Sequence, residues 1–175
     1  AFVDHTPAKV ALLSLGRSSG ALWSSLRYGM QQSHAGFLLV VAAGEDEGDR
    51  NRIKEHLAPK LDDLENVIVV TSCDHGGHAL TTAEDATTNA DIAVNTEAFS
   101  AELLSADTFS YKPEASIAAA EVAAMAVRLL TQDSSLTPAQ LKTAILAKTT
   151  PLPDASSGLA KSGFIAEPWR QFRGQ

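Results

Sequence analysis

The stretch Ala115-Ser116-Ile117-Ala118-Ala119-Ala120-Glu121-Val122-Ala123-Ala124-Met125-Ala126-Val127-Arg128-Leu129-Leu130 decides how this chain folds. Pro113 opens it, alanine fills its middle, and Glu121 and Arg128 are its only charges past the first turn. A helix apolar on nearly every side belongs in an interior. Small side chains also let neighbouring backbones come close. The pattern predicts a central, nearly buried helix over residues 113–130. After it, Thr137 stands where a helix cap belongs, with Pro138 in the first turn and Leu141, Ile145 and Leu146 spaced to face inward.

Short apolar runs precede that helix. Residues 9–15, bounded by Gly16, read as a buried strand. Ser18, Ser19 and Gly20 open a helix whose inward stripe is Leu22, Leu26, Gly29 and Met30. Residues 37–42 are continuously apolar between Gly36 and Gly44, as in a parallel strand covered on both faces. Ile53 and Leu57 predict a short helix that Pro59 stops. The β-branched run 66–71 is a further strand. Residues 74–77 form a turn, and strands follow around 80–82 and at 91–94. Residues 151–158 read as a loop, and 163–166 as the closing strand. Strands alternating with helices predict one α/β domain over 1–175, a three-layer sandwich with a mainly parallel sheet and right-handed crossovers.

Bulk properties exclude several function classes. The chain of 175 residues is 45% hydrophobic and 20% charged, an ordinary globular balance. A formal net charge of -7 without a basic stripe argues against a nucleic-acid surface. The longest uninterrupted apolar run, 36–44, is too short to span a bilayer, so no membrane partner is expected. The loop 44–48, Gly-Glu-Asp-Glu-Gly, has no lysine and no phosphate-loop pattern. The single cysteine, Cys73, rules out an internal disulfide and reads as a small buried hydrophobe. His75 and His78 lack companion ligands, so neither a metal nor a cofactor is expected.

Four segments, in order, resemble the subtilisin-like serine peptidases. Val10-Ala11-Leu12-Leu13-Ser14-Leu15-Gly16 resembles that family's cleft strand ending in Ser-Leu-Gly. Val40-Val41-Ala42-Ala43-Gly44-Glu45 is similar to its Ala-Ala-Gly-Asn. The stretch from Leu61 to Val70 looks like the entry to its next strand. Ala115 to Ala124 resembles Thr-Ser-Met-Ala-Ala-Pro-His-Val-Ala-Gly around the nucleophile. The resemblance implies the C-terminal half to two-thirds of such a catalytic domain, lacking its N-terminal strands, and a secreted or periplasmic location. It places Ser116 at the nucleophile position, Glu45 at the oxyanion-hole position, and Ser14, Leu15, Gly16, Ala43 and Gly44 along the substrate cleft.

The chemistry implied is a serine nucleophile, a histidine base, an aspartate that orients it, and an oxyanion hole. The first turn of a buried helix suits Ser116, because its backbone N–H groups are unpaired and the helix dipole favours negative charge. The residues that follow the family pattern less well are acidic. Glu45 replaces an asparagine donor, and loss of that donor costs about a hundred- to a thousandfold in rate, a magnitude established in subtilisin itself. An ionised Glu45 would also repel the oxyanion, whereas a protonated one could donate to it. Glu114 replaces a glycine two places before the nucleophile, and Ala120 and Glu121 replace proline and histidine. The family's aspartate and histidine motifs lie upstream of the matched region. Asp4 and His5 lie within the first thirteen residues, too few to build the missing strands. Asp74-His75-Gly76-Gly77-His78 echoes the histidine motif but falls in a predicted surface turn.

Three functions compete. The first is a degenerate, non-catalytic subtilisin-like module acting as a scaffold or binding subunit, with a second polypeptide completing its fold. The second is the nucleophile-bearing part of an active serine endopeptidase, acting on a peptide or protein, whose aspartate and histidine come from another chain or a cleaved upstream segment. The third is an unrelated doubly wound binding domain with its cleft at the carboxyl ends of the strands.

Overall fold

Runs of buried β-branched residues leave no side of a strand fit for water, so such strands stack side by side under helices on both faces. In the computed structural model, which describes residues 7–14, 20–32, 36–43, 61, 64–80, 90–97, 115–168 and 170, five strands do this. They are β1 (Val10–Leu13), β2 (Leu38–Ala42), β3 (Val67–Cys73), β4 (Ile92–Asn95) and β5 (Phe164–Ile165). All neighbours are parallel, and their order across the sheet is their order in the chain. The helices are α1 (Gly20–Gln32), α2 (Ala115–Gln132) and α3 (Pro138–Leu146).

The pleat sorts side chains to two cores. Leu39, Val41, Val67, Val69, Ala93 and Phe164 point to one, where Leu26 and Met30 of α1 pack. Leu38, Val40, Ile68, Val70, Ile92, Val94 and Ile165 point to the other, under α2 and α3. Every residue of β2 and β4 is buried. Helices on both faces make the expected three-layer α/β sandwich.

Several expectations need correction. β1 is shorter than predicted and only half-buried, with Leu12 46% exposed. It is an edge strand among the described residues, paired through β2 alone. Gly29 lies on the exposed side of α1 rather than in its inward stripe. Predicted as nearly buried, α2 buries one stripe, Ala115, Ala118, Ala119, Val122, Met125 and Ala126, and leaves Ala120, Ala124, Val127 and Arg128 exposed. It is also long and apolar enough by composition to cross a bilayer. A third of that stretch is buried, packed across β1 to β4. Leu80 sits in a bend, residues 81–82 and 53–59 lie outside the described ones, and the loop 151–158 contains a single 3-10 turn at Asp154–Ser156.

The crossovers do not share one hand. The steps β1 to β2 and β4 to β5 move the same way across the sheet, yet α1 covers one face and α2 with α3 the other. Right-handedness binds compact strand–helix–strand units. The β4-to-β5 connection is not compact, because α2 lies chiefly over β1, β2 and β3.

Local chemistry fixes the C-terminal third. Thr137 closes a capping box on α3: its hydroxyl accepts from the Gln140 amide at 3.3 Å, and the Gln140 carboxamide oxygen accepts from the Thr137 amide at 2.8 Å. The two-residue β5 is held from outside the ladder as well. Thr150 and Phe164 exchange amide-to-carbonyl bonds of 2.9 Å each way. Gly163 makes that approach possible: its φ is +113°, and a Cβ there would overlap the Thr150 carbonyl oxygen. We expect Gly163→Ala to cost about 1–3 kcal/mol or more through strain and overlap. Gly29→Ala, where a Cβ meets nothing within 4 Å, should instead stabilise by roughly 0.5–1 kcal/mol. Urea melts of the two variants check both signs.

Candidate active site at the carboxyl edge of the sheet

A parallel sheet gathers the carboxyl ends of all its strands along one edge. Helices that return between parallel strands run the other way, so their N-termini reach that same edge. The direction of α2 is fixed independently. The turn 133–137 carries the chain from α2 into α3, whose Lys142 bonds the Val67 carbonyl and Asp91. Val67 begins β3 and Asp91 precedes β4, so α2 ends near the amino edge. Its 18 residues span about 27 Å, which carries its start to the carboxyl edge. Ser116, half-buried, is its second residue. Ala115 before it belongs to the same buried cluster as Ala42 at the end of β2 and Val94 near the end of β4.

Three of the residues expected to form the site fall within the described chain. Ser14 follows β1 and is exposed. Ala43 follows β2 and is buried, its amide donating to the Val70 carbonyl at 2.8 Å. Leu13 registers with Val41, so Ser14 and Ala43 leave adjacent strands at the same edge. Ser116 lies in the first turn of α2. Leu15, Gly16, Gly44 and Glu45 lie outside the described residues.

The same edge carries a polar cluster that the sequence reading only partly anticipated. The turn 74–78 is knotted by Asp74. Its carboxylate accepts from the His78 amide at 2.7 Å and lies 3.1 Å from the His78 Nδ1, and its own amide donates to the His78 carbonyl at 2.9 Å. Gly77, at φ +82°, lies directly beneath the Phe164 ring, 2.8 Å from where its Cβ would be. These bonds are local, and they close the turn.

Asn95 is the residue the sequence reading missed. It is buried, its Nδ2 donates to the Ala166 carbonyl at 2.8 Å and faces His75 Nδ1 at 3.4 Å, and its Oδ1 accepts from the Glu97 amide at 3.0 Å. Glu97 in turn accepts from the His75 amide at 3.0 Å. Asn95 thus ties the ends of β3, β4 and β5 together. An asparagine closing the apolar run Ile92-Ala93-Val94 was the available signal. Among the described residues no three His, Cys, Asp or Glu side chains converge as a metal site.

Two side chains at this edge have perturbed acidities. Burial pushes the Cys73 thiol well above its ordinary range, and the nearby Asp74 and Glu97 charges push the same way. Such a thiol is a poor nucleophile, and we expect a disulfide reagent at pH 8 to modify Cys73 only when denaturant is added. Burial alone would raise the Asp74 carboxyl, but bonds from the His78 amide and ring and the Gly76 amide outweigh it and hold it below its usual 3.8. A depressed carboxylate stabilises the fold above its unfolded value and loses that contribution as pH falls through the folded one. Asp74→Asn should therefore be less stable than the parent at pH 7, with the gap closing below about pH 4. Urea midpoints at both pH values measure it.

A family model described as the Subtilase family matches residues 2–163 of the chain. No curated protein and no solved structure matched it.

Proposed function

The chain belongs to the subtilase family, and from that premise we propose that it is a peptidase-type domain that hydrolyses nothing alone and acts as a binding or scaffold subunit. The observation that carries this reading is Glu45, which directly follows Ala42-Ala43-Gly44 where the resemblance calls for an asparagine donor. A tetrahedral intermediate puts negative charge where that side chain would point. Replacing a neutral donor with a carboxylate turns stabilisation into repulsion unless the acid is protonated. Glu114, in place of a glycine beside the nucleophile position, adds bulk and a second negative charge.

A partner polypeptide fits the same reading. β1 offers its outer edge among the described residues, Leu12 is 46% exposed, and Val127 on the uncovered face of α2 is 51% exposed. Unpaired strand edges beside exposed apolar side chains attract another chain. A second polypeptide that adds a strand beside β1 and covers this face would complete the sandwich.

Ser116 supports one other reading. A serine retained in the first turn of α2, at the carboxyl edge, is where a nucleophile would gain from the helix N-terminus. In that case the chain is the nucleophile-bearing part of a serine endopeptidase, with aspartate and histidine supplied by another chain or a cleaved upstream segment. A fluorophosphonate probe separates the two. We expect no adduct on the chain by peptide mass spectrometry. An adduct at Ser116 that Ser116→Ala abolishes would replace the scaffold reading with the enzymatic one.

A further inference from the structure

The amino edge of the sheet, opposite the site above, contains a buried charge arrangement that no catalytic reading uses. Lys142 of α3 brings its Nζ to 2.6 Å from the Val67 carbonyl oxygen, 3.2 Å from Asp91 Oδ2 and 3.5 Å from the Leu64 carbonyl oxygen. An ammonium has three N–H donors and no acceptor, and here three oxygens surround it. Asp91 is 6% exposed, and its Oδ2 is also fixed by the Val69 amide at 2.9 Å. The Lys142 side chain is 14% exposed. The oxygens come from the first residue of the turn before β3, the first residue of β3 and the residue before β4.

We propose that this nest is a binding site for a monovalent ammonium-type cation, which the chain fills with its own side chain. The donor set selects the ligand class. One carboxylate balances a single positive charge and would leave a divalent ion short of negative ligands. The oxygens of Val67, Leu64 and Asp91 all accept hydrogen bonds, so an N–H cation satisfies them and a quaternary ammonium does not. Breaking a buried pair by removing one partner strands the other charge. Emptying the nest therefore exposes a demand for a small cation. The atoms deleted in Lys142→Ala, three methylenes and the ammonium, correspond to those of propylammonium.

The test is chemical rescue of Lys142→Ala. The variant should melt about 6–20 °C below the parent. Propylammonium chloride should then raise its Tm by several degrees more than tetramethylammonium chloride at equal ionic strength. The parent and the double variant Lys142→Ala/Asp91→Asn should melt alike in the two salts. Equal melting of the single variant in both salts overturns the proposal. If the single variant does not fold in either salt, the parent chain decides. Treated with an acetylating ester, it should be modified at Lys9, which is exposed, and protected at Lys142 until denatured. Modification of Lys142 at the same rate as Lys9 would show that its ammonium is not held, and would overturn the proposal.

Discussion

The apolar alternation of β2, β3 and β4, with buried side chains pointing both ways, is the constraint from which the rest of the molecule follows. Each fully buried Val, Leu or Ile side chain contributes about 1.5–3 kcal/mol relative to exposure. A sheet with two such faces cannot be satisfied by helices on one side. It needs α1 beneath and α2 with α3 above, and it therefore forces the chain to cross between faces. That crossing places a helix N-terminus at the carboxyl edge and sends α3 back to the amino edge. The candidate active site and the Lys142 nest are the two ends of one architectural solution.

Much of this was legible in the sequence because it is local or strictly periodic. The glycine-bounded apolar run before Gly44, the β-branched run entering β3, and the Thr137–Gln140 cap each carry their own physics within a few residues. What escaped was set by neighbours. Leu12 looks as buried as Leu39 in sequence, but β1 lies at the edge of the described sheet, and an edge strand has only one neighbour to bury it. Ala120 and Val127 read as interior because an alanine-rich helix has no visible polar face. Only packing decided which stripe of α2 would be covered. Asn95 and Lys142 were invisible for a different reason. Apart from Glu97, two residues on from Asn95, their partners lie between 20 and 78 residues away, and no spacing rule links them.

The candidate site was legible to the same degree. The resemblance assigned Ser116 to the nucleophile position, and the structure puts that residue in the first turn of α2. The Asp74–His78 turn followed from its glycines and its aspartate. The tie that Asn95 makes among β3, β4 and β5 required knowing that those three strands are adjacent at their carboxyl ends. Function in a family fold depends on side chains grafted onto a shared frame. In this chain the described sheet keeps that frame, while the sequence departs from the family pattern at Glu45, Glu114, Ala120 and Glu121.

Phe164 has a part that its two-residue strand does not suggest. Its ring rests on the backbone of Gly77, while its amide and carbonyl are clasped by Thr150. The ladder to β4 alone is too short to hold β5 against fraying, so the aromatic lid supplies much of the grip. The turn beyond β3 and the tail end of the domain therefore open as one cooperative unit. A loosening that begins at the last strand would reach the turn after β3 through the Phe164 ring and through the Asn95 bond to the Ala166 carbonyl, without passing through either helical layer.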